Sequence, residues 1–355
     1  MPLEVRTHTA RSRGRARAAL VVGLVALQIV LLAGTAGVAD ARGGGGKVRV
    51  ARIAEFPILG RFDIGTNMLL AQYLLRSRDR YVRFTADFTP STQWSLRAFQ
   101  REHRIRDTGL FDQRTWVRLT RTIRRGDTGW AVVGLQETLN RKMRWNLPTD
   151  GVFGPKTVDA VRRFQRSVGL RQSGVVDQRT WRVLAWHYER PNFALKSLCD
   201  YSTINGPEAN WATSSVIAWI EEASRIFHRR TGRPMAIGDL SYRFGGRLPG
   251  HRLHHRGMEA DIRPARDDGR QCATGTDYRT GIYDPGDTRQ IVNAVRSAAG
   301  KRILLIAFND PRLKGTRYVR WAPGHDDHIH VTFCRPGHPD RLYDCVSRPG
   351  GKVRR

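Results

Sequence analysis

The chain has 355 residues, 61 Lys+Arg against 32 Asp+Glu, and a formal net charge of +29 at pH 7. With 40% hydrophobic and 26% charged residues its composition is that of a globular protein, which excludes wholesale disorder, and its length suits two to three domains of about 100–200 residues. The charge points to a polyanionic neighbour, whether nucleic acid, anionic membrane or acidic wall, and carries no information on fold.

Residues 1–41 narrow that choice. Arg6, Arg11, Arg13, Arg15 and Arg17 precede an uncharged run from Ala18 to Ala39, and Ala39-Asp40-Ala41 forms an A-x-A site. This is the pattern of a cleaved secretory signal. The run is also long enough for a retained N-terminal anchor, since about 20 apolar residues span a bilayer. Either way the arginines stay on the cytoplasmic side and the rest is exported to the wall, periplasm or exterior. Nucleic acid is then no partner, and the membrane is touched only through an uncleaved segment. Carboxylate- and phosphate-rich polymers of a cell wall become the expected partners.

Residues 42–60, with Gly43 to Gly46, read as a linker. Residues 65–119 and 129–184 then repeat one another. The second copy carries Asp150-Gly151-Val152-Phe153-Gly154, Thr157, Phe164-Gln165, Gly174, Asp177 and Thr180-Trp181. The first keeps Gly65, Gln72, Thr92, Phe99-Gln100, Gly109, Asp112 and Thr115-Trp116, but has Thr85-Ala86-Asp87-Phe88-Thr89 at the loop. Val132, Leu135 and Leu139, and again Val158, Val161 and Phe164, fall at helical spacing, so each copy predicts three short helices. No cluster of His, Cys or carboxylates lies here, and inert helical spacers are the plain alternative. The repeats resemble the bacterial three-helix peptidoglycan-binding module. That resemblance implies a degenerate copy over 61–123 and a complete one over 124–190. Residues 42–190 hold 29 basic and 13 acidic residues, so attraction to an anionic wall would concentrate there.

All four cysteines, Cys199, Cys272, Cys334 and Cys345, follow the repeats. An even number in an exported chain predicts two disulfides, with three pairings open. No C-x-x-C pair occurs, which argues against a cysteine zinc site.

Six of the eleven histidines lie in two windows, His251–Asp261 and His325–His330. In His328-Ile329-His330-Val331-Thr332-Phe333 the alternation of a strand puts both imidazoles on one face and Ile329, Val331 and Phe333 on the other. His254 and Asp261 are seven apart with Gly257 between, a glycine that permits the turn bringing both to one ion. Two histidines and a carboxylate leave an open position, as catalytic zinc requires. Trp211 to Arg230 and Thr288 to Ala299 predict helices; Met235–Ile237, Ala260–Ile262 and Ile303–Phe308 predict strands.

This H-x(6)-D pair with H-x-H resembles the zinc peptidases that include lysostaphin-type and D-Ala-D-Ala peptidases. Glu259 two before the aspartate, His325 three before the H-x-H, Ile237-Gly238-Asp239-Leu240-Ser241, Gly245-Gly246 and Pro249-Gly250-His251 resemble the penicillin-insensitive murein endopeptidases within that group. Leu253 departs from the family, which has a small hydroxyl residue there. The resemblance implies one zinc ion per chain on His254, Asp261 and His330, with His328 as general base and His251 and His325 as auxiliary histidines. Asp239, Asp326 and Asp327 are candidates to orient them, and His255 faces away. Arg252, Arg256 and Arg263 either clamp a substrate carboxylate or are solvated. The resemblance also favours pairing Cys334 with Cys345, leaving Cys199 for Cys272.

The expected architecture is thus multidomain: two small all-α three-helix modules, then an α+β zinc peptidase domain at 191–346 with a short antiparallel sheet, then a basic tail at 347–355. The expected activity is hydrolysis of peptidoglycan cross-links between D-Ala and a diamino acid. A D-Ala-D-Ala-type carboxypeptidase and a non-catalytic wall-binding protein are the alternatives.

Overall fold

The computed structural model describes residues 55–201, 205–338 and 340–345. The expected export segment at 1–41, the glycine run of the linker and the tail at 347–355 lie outside the described residues.

The first repeat folds as α1 (Thr66–Arg76), α2 (Pro90–Glu102) and α3 (Gln113–Leu119), and the second as α4 (Trp130–Met143), α5 (Pro155–Ser167) and α6 (Gln178–Trp186). Proline at the first position of α2 and α5 supplies a preset helical φ where no N–H is needed. Asp112 and Asp177 cap α3 and α6, accepting from Thr115 N at 2.9 Å and Thr180 N at 2.7 Å.

The repeated glutamines are loop clamps. Gln72 Oε1 accepts from Ala86 N and its Nε2 donates to Asp87 O and Thr92 Oγ1; Gln136 does the same with Gly151 N, Val152 O and Thr157 Oγ1. Gln100 and Gln165 likewise take Gly109 N and Gly174 N and donate to Leu110 O and Val175 O. The degenerate loop of the first copy is therefore held by the same bonds as the complete one.

The linker expectation needs correction at its end. Phe56 and Leu59 are buried in the helical core, Phe56 stacks on Trp116, and Trp116 Nε1 donates to Pro57 O at 2.8 Å. Trp181 makes the matching bond to Arg121 O at 2.9 Å. Residues 56–60 complete the first repeat because the indole and its apolar floor need them. The cores of the two repeats are continuous. Gly134 makes this possible: a Cβ there would lie 2.8 Å from Tyr73 Cβ, so a larger residue would push α4 off α1.

The remaining elements are β1 (Leu198–Asp200), α7 (Ser214–Thr231), β2 (Met235–Ile237), β3 (Glu259–Ile262), α8 (Pro285–Ala299), β4 (Ile303–Ala307), β5 (Val319–Arg320) and β6 (Ile329–Phe333). They form a sheet in the order β1-β2-β3-β6-β4-β5. Its centre, β2-β3-β6-β4, is antiparallel, as expected. The flanking pairs β1–β2 and β4–β5 are parallel, so the sheet as a whole is mixed. Strands β1 and β5 are too short to show alternation in sequence. Val216, Ile220, Ala223 and Phe227 of α7 and Ile291, Val292 and Val295 of α8 share a core with Ala260, Ile262, Ile329 and Val331. Gly232, at φ 73°, ends α7 in the left-handed conformation.

The first repeat docks on this α+β part. A Cβ on Gly65 would meet Ala218 Cβ at 2.7 Å, whereas its counterpart Gly129 has nothing within 4 Å. Asn67 N donates to Ser214 Oγ at 3.0 Å, Trp219 Nε1 to Phe62 O at 3.0 Å, and Arg302 Nη2 to Asp63 Oδ2 at 2.8 Å. Asp63 is fully buried and the Arg302 side chain is 8% exposed. Removing one partner of a buried pair leaves an uncompensated charge, at a cost of about 3–5 kcal/mol. Arg302→Ala is therefore expected to lower stability by about that amount in denaturant unfolding; a change below about 1 kcal/mol would show that this pair does not hold the junction.

Candidate metal centre

Strands β3 and β6 lie side by side with Asp261 opposite His330 and Glu259 opposite Thr332. Because side chains alternate, these four share one face while Ala260, Ile262, Ile329 and Val331 enter the core on the other. On its other side His330 faces only the small Ala307 of β4. His254 arrives from the loop before β3. Gly257 lets that loop turn: its φ is 63°, and a Cβ would sit 2.9 Å from the Tyr188 ring. His254 itself has φ 66°, a strained conformation for a residue with a Cβ. It is held there by its backbone N on Glu259 Oε2 at 3.2 Å and its Nδ1 on Leu240 O at 2.9 Å.

Three donor atoms converge. His254 Nε2 is 3.0 Å from His330 Nδ1 and 3.2 Å from Asp261 Oδ1, and the latter two are 2.9 Å apart. Since His254 Nδ1–H donates to a carbonyl, Nε2 turns its lone pair inward. His330 is oriented by Thr332 Oγ1, 3.1 Å from its Nε2. Two imidazole lone pairs cannot face each other at this distance unless a proton or a cation lies between them. Burial alone would lower the His254 pKa, but the Asp261 charge and hydrogen bond push it up to about 9. Burial raises Asp261, and the charge and hydrogen bond of His254 outweigh it, so the carboxyl lies well below its usual range. For His330 burial dominates and lowers the pKa. The cluster thus attracts positive charge. Zinc ligands at about 2.0–2.2 Å give tetrahedral edges of about 3.4 Å, so the three donors need separate only slightly to take an ion.

His251 offers a second triad with the same His254 and Asp261, whose donor atoms all lie within 4.8 Å. Its Nδ1 is 3.8 Å from Asp261 Oδ2, and its Nε2 is 2.9 Å from Asp239 Oδ2. His328 Nε2 lies 4.0 Å from Asp261 Oδ1, its Nδ1 held by Asp327 Oδ1 at 2.8 Å. The His325 ring stands 4.9 Å from that of His328 and 5.5 Å from that of His330, its Nδ1 donating to Pro323 O at 2.9 Å. Five of the six windowed histidines therefore meet, and His255 packs instead toward Tyr343.

The weaker candidates divide. Asp239 and Asp327 each hold a histidine, whereas Asp326 is taken by Asn309 and Arg279. Arg256 pairs with Asp340 at 3.3 Å, and Arg263 donates to Gln271 O and lies over the Tyr201 ring. Arg252 is exposed. Sequence reasoning missed Thr332 and Tyr201. Tyr201 is buried, and its phenol pKa is raised by burial and by the charge of Asp261. The trace it leaves in the sequence is Gly238, where a Cβ would come within 2.3 Å of the phenol. The disulfides are Cys199–Cys272 and Cys334–Cys345, as the resemblance favoured.

Comparison with known proteins follows this geometry. Residues 65–119 and 128–184 match the peptidoglycan binding domain family, and residues 201–314 match the penicillin-insensitive murein endopeptidase family. The chain therefore carries two peptidoglycan-binding modules ahead of a murein endopeptidase domain. An uncharacterized protein in the bpoA1 3′ region of Kitasatospora aureofaciens is 44% identical over 59 residues, 16% of this chain and 50% of that protein. A crystal structure of a peptidoglycan-binding protein from Clostridioides difficile, in complex with glutamine hydroxamate, is 36% identical over 19% of this chain and 42% of its own, with a TM-score of 0.18. The chain thus spans half or less of the length of these relatives.

Proposed function

We propose that this chain, two peptidoglycan-binding modules joined to a penicillin-insensitive murein endopeptidase domain, is an exported zinc endopeptidase that cuts peptide cross-links of peptidoglycan between D-Ala and a diamino acid. The observation that carries the reading is the buried convergence of His254 Nε2, Asp261 Oδ1 and His330 Nδ1 within 3.2 Å of one another, in the part of the chain that matches the endopeptidase family. Disulfides and a wall substrate both fit an exported protein.

In this reading His254, Asp261 and His330 would hold the zinc, with His251 beside them. The ion would supply Lewis acidity, lowering the pKa of a water and polarising the scissile carbonyl. His328, with Nδ1 fixed on Asp327, presents Nε2 as the proton carrier between water and the leaving amine. The auxiliary role proposed for His251 and His325 is support of the developing oxyanion by a ring N–H.

The test is a digest of purified cross-linked peptidoglycan, with and without a chelator, read by chromatography and mass of the products. Dimeric muropeptides should fall to monomers, stop with chelation and resume with zinc. Loss of terminal D-Ala alone would make the protein a carboxypeptidase. Sedimentation on the wall without products would leave a binding protein. In the same assay, sedimentation should weaken between 0.1 M and 1 M salt as the screening length shrinks from about 10 Å to about 3 Å. Salt-independent sedimentation would assign attachment to the modules' contacts rather than to their charge.

A further inference from the structure

A cleft of about 250 Å³ lies between the second repeat and the α+β part, lined by Met143, Trp145, Arg163 and Ser167 from one side and Trp211 and Arg243 from the other. It is just below the usual range of about 300–1,000 Å³ for ligand sites, a size for one small group rather than a long chain. Each arginine lies on an indole: Arg163 is 4.8 Å over Trp145, and Arg243 is 5.2 Å over Trp211. Neither forms an ion pair among the described residues, and the one bond Arg243 makes from its side chain is to Met143 Sδ at 3.9 Å. Burial pulls the Arg243 pKa below its usual value, with Glu208 opposing only through its charge. Arg243 Nε and the indole Nε1 of Trp211, a residue 9% exposed, are buried donors without a hydrogen-bond partner. Unpaired buried donors are costly, and they mark a place where an acceptor belongs.

The chemistry is one-sided. The cleft presents guanidinium and indole N–H donors; its acceptors are a weak thioether and the Ser167 hydroxyl, whose proton is already given to Phe164 O at 2.8 Å. An acceptor-rich anion fits it, and two forked guanidiniums, each over an indole face, favour a carboxylate. The cleft is also tied to the metal centre. Arg243 belongs to the segment 240–246, which accepts His254 Nδ1 on Leu240 O and donates Gly246 N to His255 O at 3.1 Å.

We infer that this cleft is a second substrate site, at which Arg163 and Arg243 bind a carboxylate of a wall peptide stem and register the cross-link on the metal centre. The choice of a wall peptide rests on the endopeptidase reading; the anion site does not. Because the site draws residues from both sides, it joins wall recognition by the second module to cleavage.

The experiment is calorimetric titration of the purified, zinc-supplemented protein with a free stem tetrapeptide, which offers no cross-link to cut. The parallel titrants are the same peptide with its carboxylates amidated and a glycerol phosphate oligomer. The free acid should bind at least tenfold more tightly than the amidated peptide and more tightly than the phosphodiester. Arg163→Gln, a change at an exposed side chain that should not disturb folding, and Arg243→Gln should each weaken it at least tenfold. Arg171→Gln, exposed on the same repeat but outside the cleft, should leave it unchanged. Binding by Arg163→Gln within twofold of the parent, equal binding of the amidated peptide, or tighter binding of the phosphodiester would each overturn the inference. Cleavage of dimeric muropeptides is scored separately. Cleavage with arginine-independent binding removes the subsite and leaves the endopeptidase, and arginine-dependent binding without cleavage does the reverse.

Discussion

With the proposed zinc centre, Asp261→Asn is expected to abolish cross-link hydrolysis, by at least about 10³-fold, and to prevent metal binding. Asn has nearly the same shape, so strand β3 and the pairing of residue 261 with His330 should survive. What is lost is the one negative charge shared by His254 at 3.2 Å and His330 at 2.9 Å. A neutral amide is a poor zinc ligand, and without the proposed ion the reaction would lose both an ionisable water near pH 7 and a polarised carbonyl. Several kcal/mol of transition-state stabilisation correspond to three or more powers of ten in rate, at about 1.36 kcal/mol for each. The measurements are metal content by elemental analysis, folding by circular dichroism and conversion of dimeric muropeptides. A folded Asp261→Asn protein that keeps its metal and cuts at the parent rate would sink the proposed centre. Loss of metal from His330→Ala but not from His251→Ala would make His330 rather than His251 the third ligand.

That choice of ligand marks how far the sequence could be read. Alternation put His330 on one face of β6 and Ile329, Val331 and Phe333 in the core, with His328 immediately before the strand, and the pleat leaves little freedom for another outcome. Seven-residue spacing around Gly257 brought His254 to Asp261, because only a residue without a Cβ passes Tyr188 there. Repeat matching found both sets of three helices. Contacts between segments distant in sequence were not legible. Asp239 stood among the candidates to orient a histidine, but nothing in residues 251–261 indicates that His251, once held by it, would still face Asp261. Tyr201 reaches the site through a gap at Gly238. The docking of the first repeat rests on Gly65, a residue that repeat matching explains as a turn. In the structure it also gives α7 a place to approach, and its equivalent in the second repeat faces open space. Edge strands of two or three residues have no period to detect. Local pattern thus predicted what one element does, and packing decided how the elements meet.

His328→Ala separates catalysis from metal binding, and on the proposed roles it should lower hydrolysis by about 10²–10⁴-fold while the metal stays bound. The geometry motivates the split. His328 Nε2 stands 4.0 Å from Asp261 Oδ1, outside the tight triangle, and its ring is a quarter exposed, whereas His254 and His330 are buried. Its Nδ1 is fixed by Asp327, which selects the tautomer whose Nε2 can accept a proton. Truncation therefore removes a proton carrier at the edge of the centre without opening the core, and unfolding should change little. The comparison variant is Asp327→Asn, which keeps the hydrogen bond to Nδ1 but loses the charge. Asp327 is 70% exposed, so its pull on the imidazole is screened and the drop should be under about tenfold. A non-catalytic wall-binding protein would treat both variants as silent in sedimentation and in product analysis. If His328→Ala digests cross-linked wall at the parent rate with its metal in place, the proton carrier must be one of the two other histidines beside the centre. His325 would then be tested first, since its Nδ1 donates to Pro323 O and turns the lone pair to Nε2, whereas both His251 nitrogens face carboxylates.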